Sequence, residues 1–250
     1  MSVNGRVALV SGASGVLGAH FSRVLHAAGA RVALAARRVD RIETLAAELG
    51  EGAVAVAMDV TSPESVLAGY DAAEQGLGGV CDIIVNCAGI AVTRPFLQQS
   101  IEDWDGVLDV NLRGCFLVGQ EGARRLVTAK QPGSIVNIAS ILGDRVIAGV
   151  AGYTAAKAGL NQLTRQMAVE LARYNIRVNA LAPGYVATGI NAEFFASEPG
   201  QAMIRRIPQR RLGTPEDLTA PFLLLASATA GAHMTGAVLV VDGGHSVNPL

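Results

Sequence analysis

Seven short apolar runs, at about residues 6–11, 31–36, 53–58, 82–87, 134–140, 176–182 and 237–241, alternate with longer, mostly helix-like segments. That alternation most constrains the fold. A strand followed by a crossover helix returns to lie parallel to its neighbour, and a parallel sheet needs helices on both faces to cover it. The expectation is therefore an α/β protein with right-handed crossovers and a doubly wound parallel sheet. Half of the 250 residues are hydrophobic, only 4% are aromatic, and glycine is abundant, which suits small-residue helices packed on such a sheet. No low-complexity linker or internal repeat divides the chain, so residues 1–250 are read as one domain. Ser62-Pro63-Glu64 and Thr214-Pro215-Glu216-Asp217 mark helix starts with a hydroxyl at N-cap and proline at N1, and Ser100-Ile101-Glu102-Asp103 resembles a capping box.

The first apolar run leads directly into Gly12-Ala13-Ser14-Gly15-Val16-Leu17-Gly18 and then into a helical segment, Ala19 to Ala28. Strand, glycine turn and helix N-terminus together make a dinucleotide cradle. The glycines permit the tight turn and let backbone N–H groups approach a pyrophosphate, and the helix end supplies favourable potential. Gly12, Ser14, Gly15, Leu17 and Gly18 are the expected cofactor residues there.

Further along, Tyr153 and Lys157 stand four residues apart in Gly152-Tyr153-Thr154-Ala155-Ala156-Lys157. On a helix this spacing puts a phenol and an ammonium on one face. A cation one turn away favours the phenolate, which is how a tyrosine becomes an acid–base group. Alone the pair is common on helix surfaces, so its weight comes from the rest of the chain.

In order along the sequence, the glycine turn, Asp59-Val60, Asn86-Cys87-Ala88-Gly89, Asn111, Ser140 thirteen residues before Tyr153, and Pro183-Gly184-Tyr185-Val186-Ala187-Thr188 resemble the landmarks of the classical short-chain dehydrogenase/reductase family. The resemblance covers nearly the whole chain. It implies a seven-stranded Rossmann-type sheet in the order 3-2-1-4-5-6-7 and an NAD(P)-dependent alcohol dehydrogenase or ketone reductase. It makes Asn111, Ser140, Tyr153 and Lys157 the catalytic tetrad, with Tyr153 as acid–base residue, Ser140 bonding the substrate oxygen, and Asn111 joining a proton relay through Lys157 and water. A local backbone bond is the alternative for Asn111. The resemblance further assigns Asp59 and Val60 to the adenine, Asn86, Ala88 and Gly89 to the adenosine ribose, Lys157 to the nicotinamide ribose, and Pro183, Gly184, Val186 and Thr188 to the nicotinamide end.

Two positions depart from the family pattern. The usual turn places glycine at 16, whereas here Val16 follows Gly15, which removes the basic side chain many NADP-using members carry at 15. Cys87 stands where a second asparagine is usual. The cofactor choice turns on the end of the second strand, where Ala36 replaces the acid that would hold ribose hydroxyls and Arg37 and Arg38 follow. Guanidinium groups suit a 2′-phosphate, so NADP is favoured over NAD.

The segment from Gly189 to Gly213 interrupts the regular alternation beyond the carboxyl end of the sixth strand, where ligands bind in such sheets. It is read either as a substrate cover or as an ordinary amphipathic connection. Ile141, Leu142, Val146, Tyr185 and Phe194 are the expected walls of a small to medium, largely apolar substrate pocket. Reduction of a 3-oxoacyl thioester, on acyl carrier protein or coenzyme A, is the alternative within the same chemistry, suggested by Arg205, Arg206, Arg210 and Arg211. A Ser140–Tyr153–Lys157 hydrolase is disfavoured because no Gly-x-Ser-x-Gly or Ser-x-x-Lys pattern surrounds Ser140, and a silent dinucleotide-binding regulator would not need the tetrad.

A net charge of −1 gives no field for nucleic acid or an anionic membrane. No apolar run reaches the ~20 residues that span a bilayer, and Met1 to Arg6 lacks the apolar core of a signal peptide, so a cytoplasmic protein is expected. Three cysteines and four scattered histidines form no metal-ligand spacing, and no metal centre is expected. The resemblance and the long, small-residue helices around 101–128 and 153–173 imply a homotetramer.

Overall fold

The computed structural model describes residues 1–187 and 192–247. Its seven strands are β1 (Val7–Ser11), β2 (Arg31–Ala36), β3 (Ala53–Ala57), β4 (Ile83–Asn86), β5 (Gly133–Ile138), β6 (Ile176–Pro183) and β7 (Val238–Val241). They form one sheet in the order β3-β2-β1-β4-β5-β6-β7 with every pairing parallel. The doubly wound architecture and strand order expected from the sequence are both present.

Helices α1 (Val16–Ala27), α2 (Val39–Leu49), α3 (Pro63–Leu77), α4 (Ile101–Leu108), α5 (Gly114–Ala129), α6 (Ala151–Leu171), α7 (Ala192–Ala196), α8 (Glu198–Ile204) and α9 (Thr219–Ala226) connect or follow the strands. Alternation along each strand divides the apolar residues between two cores. Ala8, Val10, Ile83 and Val85 join Phe21 and Leu25 of α1, Ile42 of α2 and Phe222 of α9 on one face. Val7, Leu9 and Ile84 join Val66 and Tyr70 of α3 and Val118 and Leu126 of α5 on the other. The inner strands β1, β2, β4, β5 and β6 are buried on both faces, which is why they read in sequence as continuous apolar runs rather than alternating ones.

Caps fix where the helices begin. The Ser62 hydroxyl accepts from the Ser65 amide at 3.1 Å with Pro63 following, and the Ser100 hydroxyl accepts from the Asp103 amide at 3.1 Å. Asp217 accepts from the Thr214 amide at 2.8 Å, starting the short turn Pro215–Leu218 before α9. The connection after β6 is pinched at its base, since the Ala187 and Gly213 amides donate across to Gly213 and Tyr185 carbonyls at 2.8 and 2.9 Å. α7 and α8 lie within that loop.

One helix departs from the sequence reading. Asn111 was expected in a long uniform helix, but Asp109–Arg113 between α4 and α5 forms a π-turn. One residue too many in a turn shifts the carbonyl ladder, a distortion found often at functional sites.

Candidate active site

A cleft of about 1190 Å³ opens at the carboxyl ends of the strands. β1 ends at Ser11, whose buried hydroxyl donates to the Val85 carbonyl at 3.2 Å and accepts from the Cys87 and Ala88 amides at 3.2 and 3.4 Å. This hydroxyl ties β1 to the loop after β4. Gly12 follows with φ +72°, and a Cβ built there would lie 2.6 Å from the Ala88 amide nitrogen. At Gly18 it would lie 2.2 Å from the Gly12 carbonyl oxygen. Both positions admit only glycine. Gly15 differs, with φ −92°, ψ 166° and a Cβ that would meet only the Gly12 carbonyl oxygen at 3.4 Å. The turn is thus closed by Gly12 and Gly18, while the start of α1 at Gly15 and Val16 faces the cleft.

At the end of β2, Arg37 and Arg38 are exposed and line the cleft beside Ala36. The Arg38 guanidinium donates to the Ser14 carbonyl and hydroxyl oxygens at 3.3 and 3.1 Å. A cation from the end of β2 therefore reaches the glycine turn, which carries none of its own. Asp59 accepts from the Thr61 amide and hydroxyl at 2.9 and 2.8 Å. The Thr61 amide, with help from the Thr61 hydroxyl and nearby Arg37, holds the Asp59 carboxyl below its usual range against the opposing effect of burial.

On the reaction side, Ser140 caps the turn Ile141–Gly143, its hydroxyl accepting from the Leu142 amide at 3.1 Å. Tyr153 sits in the first turn of α6 with Lys157 one turn later. Lys157 is 4% exposed, and its ammonium donates to the Ile138 carbonyl at 2.7 Å and lies 5.6 Å from the centre of the Tyr153 ring. Behind these groups a polar chain crosses the apolar core. The Asn86 amide donates to Asn137 Oδ1 at 2.8 Å, and the Asn137 amide donates to the Thr164 hydroxyl at 2.8 Å, joining β4 and β5 to α6.

Most residues expected from the sequence meet at this one cleft. Gly12, Ser14, Gly15, Leu17, Gly18, Arg37, Arg38, Asp59, Val60, Ala88, Gly89, Ser140, Tyr153, Lys157, Pro183, Gly184 and Val186 line it, as do Ile141, Leu142, Tyr185 and Phe194 of the expected pocket. Three residues are placed differently. Val146 is 85% exposed and does not line the cleft, although Ile147, Ala148 and Val150 of the same loop do. Asn86 is buried beneath the floor, its amide used by Asn137 and the Cys115 carbonyl. Asn111 also lies behind the lining, its amide donating to the Ile90 carbonyl and its oxygen accepting from the Ile90 amide, each at 2.8 Å. Both partners are backbone groups twenty-one residues away, not the local backbone bond the sequence left as an alternative. Thr188 lies outside the described residues. Sequence reasoning missed Ser11, Asn137 and Thr164, although a polar residue inside an apolar run was a readable signal for Asn137. It also missed Ile90, Thr93, Ile147, Val150 and Met203 of the cleft wall.

Comparison with known proteins gives the same picture. A family model described as "Enoyl-(Acyl carrier protein) reductase" matches residues 12–246. The chain is 42% identical over 253 residues to 3beta-hydroxysteroid dehydrogenase 1 of Eggerthella lenta, covering 99% of this chain and 96% of that protein. The chain belongs to the classical short-chain dehydrogenase/reductase family. Within that family it is also 36% identical over 248 residues to a 3-oxoacyl-[acyl-carrier-protein] reductase of Aquifex aeolicus, covering 98% of each chain. Its structure matches a gluconate 5-dehydrogenase from Burkholderia cenocepacia J2315, solved in complex with NADP and tartrate, with TM-score 0.93, 33% identity and 98% and 97% coverage. The family's dinucleotide fits the cleft seen here, whose glycine positions 12 and 18 have no room for a side chain and whose lining includes two guanidinium groups.

Proposed function

We propose that this enzyme is an NADP-dependent oxidoreductase that interconverts a ketone and a secondary alcohol at Ser140, Tyr153 and Lys157. Oxidoreductase activity follows from family membership, and the relative solved with NADP supports the cofactor. NADPH, when bound, supplies the hydride. The chain supplies the rest. The Ser140 hydroxyl donates to the substrate oxygen, where negative charge develops as the carbonyl carbon is reduced. The Tyr153 hydroxyl delivers its proton to that oxygen, and the Lys157 ammonium stabilises the charge left on the phenol. In the oxidation direction the same groups act in reverse.

The observation that carries this reading is the burial of Lys157. A buried ammonium is costly unless it is paired and hydrogen-bonded, and among the described residues this one has one backbone acceptor and a phenol one turn away. Arg37 and Arg38 are the residues that would hold a 2′-phosphate, and Gly12, Gly15 and Gly18 would bring the backbone up to the pyrophosphate. The test is NADPH absorbance with a panel of ketones, using wild type and Tyr153→Phe. Loss of more than nine-tenths of kcat with NADPH binding retained is expected. A variant keeping more than a tenth of kcat overturns the assignment of Tyr153.

Reduction of a 3-oxoacyl thioester is the second reading, supported by the Aquifex relative and by exposed Arg205 and Arg206. The full arginine group is not free for a carrier, since Arg211 pairs with Asp217 at 2.5 Å. Saturation kinetics with matched free ketones and acyl thioesters separate the two. No described helix is long and apolar enough to cross a membrane, and three free cysteines support a reducing, cytoplasmic setting. A homotetramer is part of the same reading. It is supported by a groove of about 510 Å³ between α5 and α6, lined by Phe116, Leu163, Met167 and Tyr174, and light scattering at micromolar concentration tests it. The segment after β6 is read as the substrate cover, supported by Phe194 and Met203 in the cleft wall.

A further inference from the structure

Tyr185, in the loop after β6, is a cleft-wall residue whose polar group has no assigned work. Its ring is held from two sides, edge-on by Phe195 at 5.6 Å and by the tilted His245 ring at 5.4 Å between centroids. Phenylalanine would meet both contacts equally well. The hydroxyl makes no hydrogen bond with any described residue, and the residue is half-buried in the cleft wall. Phe194 and Met203 line the same cleft. The hydroxyl keeps access to the open cleft, so an occupant there can bond it in place of water.

The protonation state says which kind of occupant. Burial, and then the neighbouring Tyr153, push the Tyr185 phenol above its ordinary range. The phenol is therefore neutral through physiological pH and can donate. Burial likewise lowers His245, with Arg145 and Arg206 adding to that effect against Asp242, so the ring behind Tyr185 carries no charge at pH 7. Tyr185 and Tyr153 line the same cleft.

We propose that Tyr185 is a specificity-determining residue, whose hydroxyl donates to a second oxygen of the substrate while Ser140 and Tyr153 hold the first. The substrate class is then an otherwise apolar ketone carrying another acceptor oxygen near the reacting carbon, such as a 3-oxo ester or thioester, a diketone or a hydroxyketone. The assignment rests on the carbonyl-reducing reading of Ser140 and Tyr153. A site built to bond an oxygen discriminates against an analogue lacking it more strongly than an apolar wall discriminates by size.

Ethyl 3-oxobutanoate and 2-heptanone have the same chain length and the same reacting methyl ketone, and only the ester carries the further oxygens. Each is titrated calorimetrically into enzyme saturated with NADP⁺, a combination in which no ketone can be reduced, so the readout is affinity alone. Wild type should bind the ester more tightly. Tyr185→Phe, which keeps the ring and its two aromatic contacts, should lower the ester-over-ketone preference by about two- to tenfold, the range of a single neutral hydrogen bond. No ester preference in wild type, an unchanged preference in Tyr185→Phe, or equal weakening toward both ketones overturns the role of Tyr185. Failure of both ketones to bind wild type overturns the carbonyl reading and this proposal with it.

Discussion

Replacing Lys157 with methionine separates what the ammonium does for chemistry from what it does for the fold. The side chain is 4% exposed and nearly isosteric with methionine up to its charged end. With the ammonium 5.6 Å from the Tyr153 ring centre and an effective dielectric constant of about 20, its attraction for a negative charge on that phenol is about 3 kcal/mol. Lost from the transition state alone, that is roughly a hundredfold in kcat. Stability should change far less, because the loss of the bond to the Ile138 carbonyl, about 1 kcal/mol, is offset by removing a buried charge from the interior. Stopped-flow or steady-state NADPH oxidation gives kcat, fluorescence titration gives NADPH affinity, and thermal unfolding reports the fold. A folded variant keeping kcat within tenfold of wild type would refute the electrostatic argument. Retained NADPH affinity would leave only the proposed ribose contact unsupported.

The two kinds of glycine in the first turn should behave oppositely. Gly12→Ala combines a positive φ with a 2.6 Å approach to the Ala88 amide and should lower stability by a few kcal/mol and abolish NADPH binding; Gly15→Ala should leave the melting temperature within a degree or two. Arg37→Ala should raise KM for NADPH roughly ten- to a hundredfold, the worth of a charge-assisted hydrogen bond to phosphate, with KM for NADH nearly unchanged. Equal weakening toward both cofactors would withdraw the 2′-phosphate assignment. Burial pushes the Cys87 thiol up to about 12 against the pull of Lys157, and Cys115 up to about 11. Both thiols are protonated below those values, so iodoacetamide at pH 8 should leave native activity intact and label these cysteines only after unfolding; rapid inactivation with stoichiometric labelling would contradict this.

The legible parts of the site were those in which local spacing dictates geometry. A four-residue interval on one helix brings Tyr153 and Lys157 together whatever the rest of the chain does, and the glycine turn is written within a single strand-to-helix connection. Strand positions were legible because both faces of the sheet are covered and the apolar runs are continuous. The order of the strands came from resemblance, since periodicity alone does not choose among crossover patterns. What could not be read depends on contacts between distant segments. Nothing local links Arg38 to Ser14, twenty-four residues apart, and nothing local tells that Ile147 and Val150 line the cleft while Val146 faces solvent. The π-turn at Asn111 is a shift in backbone register with no side-chain signature.

Those illegible contacts share a physical logic. Ser11, Asn86, Asn111 and Asn137 are each at most 1% exposed, and each bonds either loop backbone at a strand end or another buried side chain beneath the cleft floor. A buried amide or hydroxyl is tolerated in an apolar core only where its partners are in place, so each fixes one relative position among β1, β4, β5, the π-turn and α6. Asn111 binds both the amide and the carbonyl of Ile90 and thereby sets the loop carrying Gly89, whose Cα side faces the Lys157 ammonium. The Asn86–Asn137–Thr164 chain registers α6, and with it Tyr153 and Lys157, against the ends of β4 and β5. Ser140 is carried just past the end of β5, so the distance from its hydroxyl to the Tyr153 phenol is governed by the same chain. The buried polar floor thus holds Ser140, Tyr153 and Lys157 in register beneath a largely apolar wall.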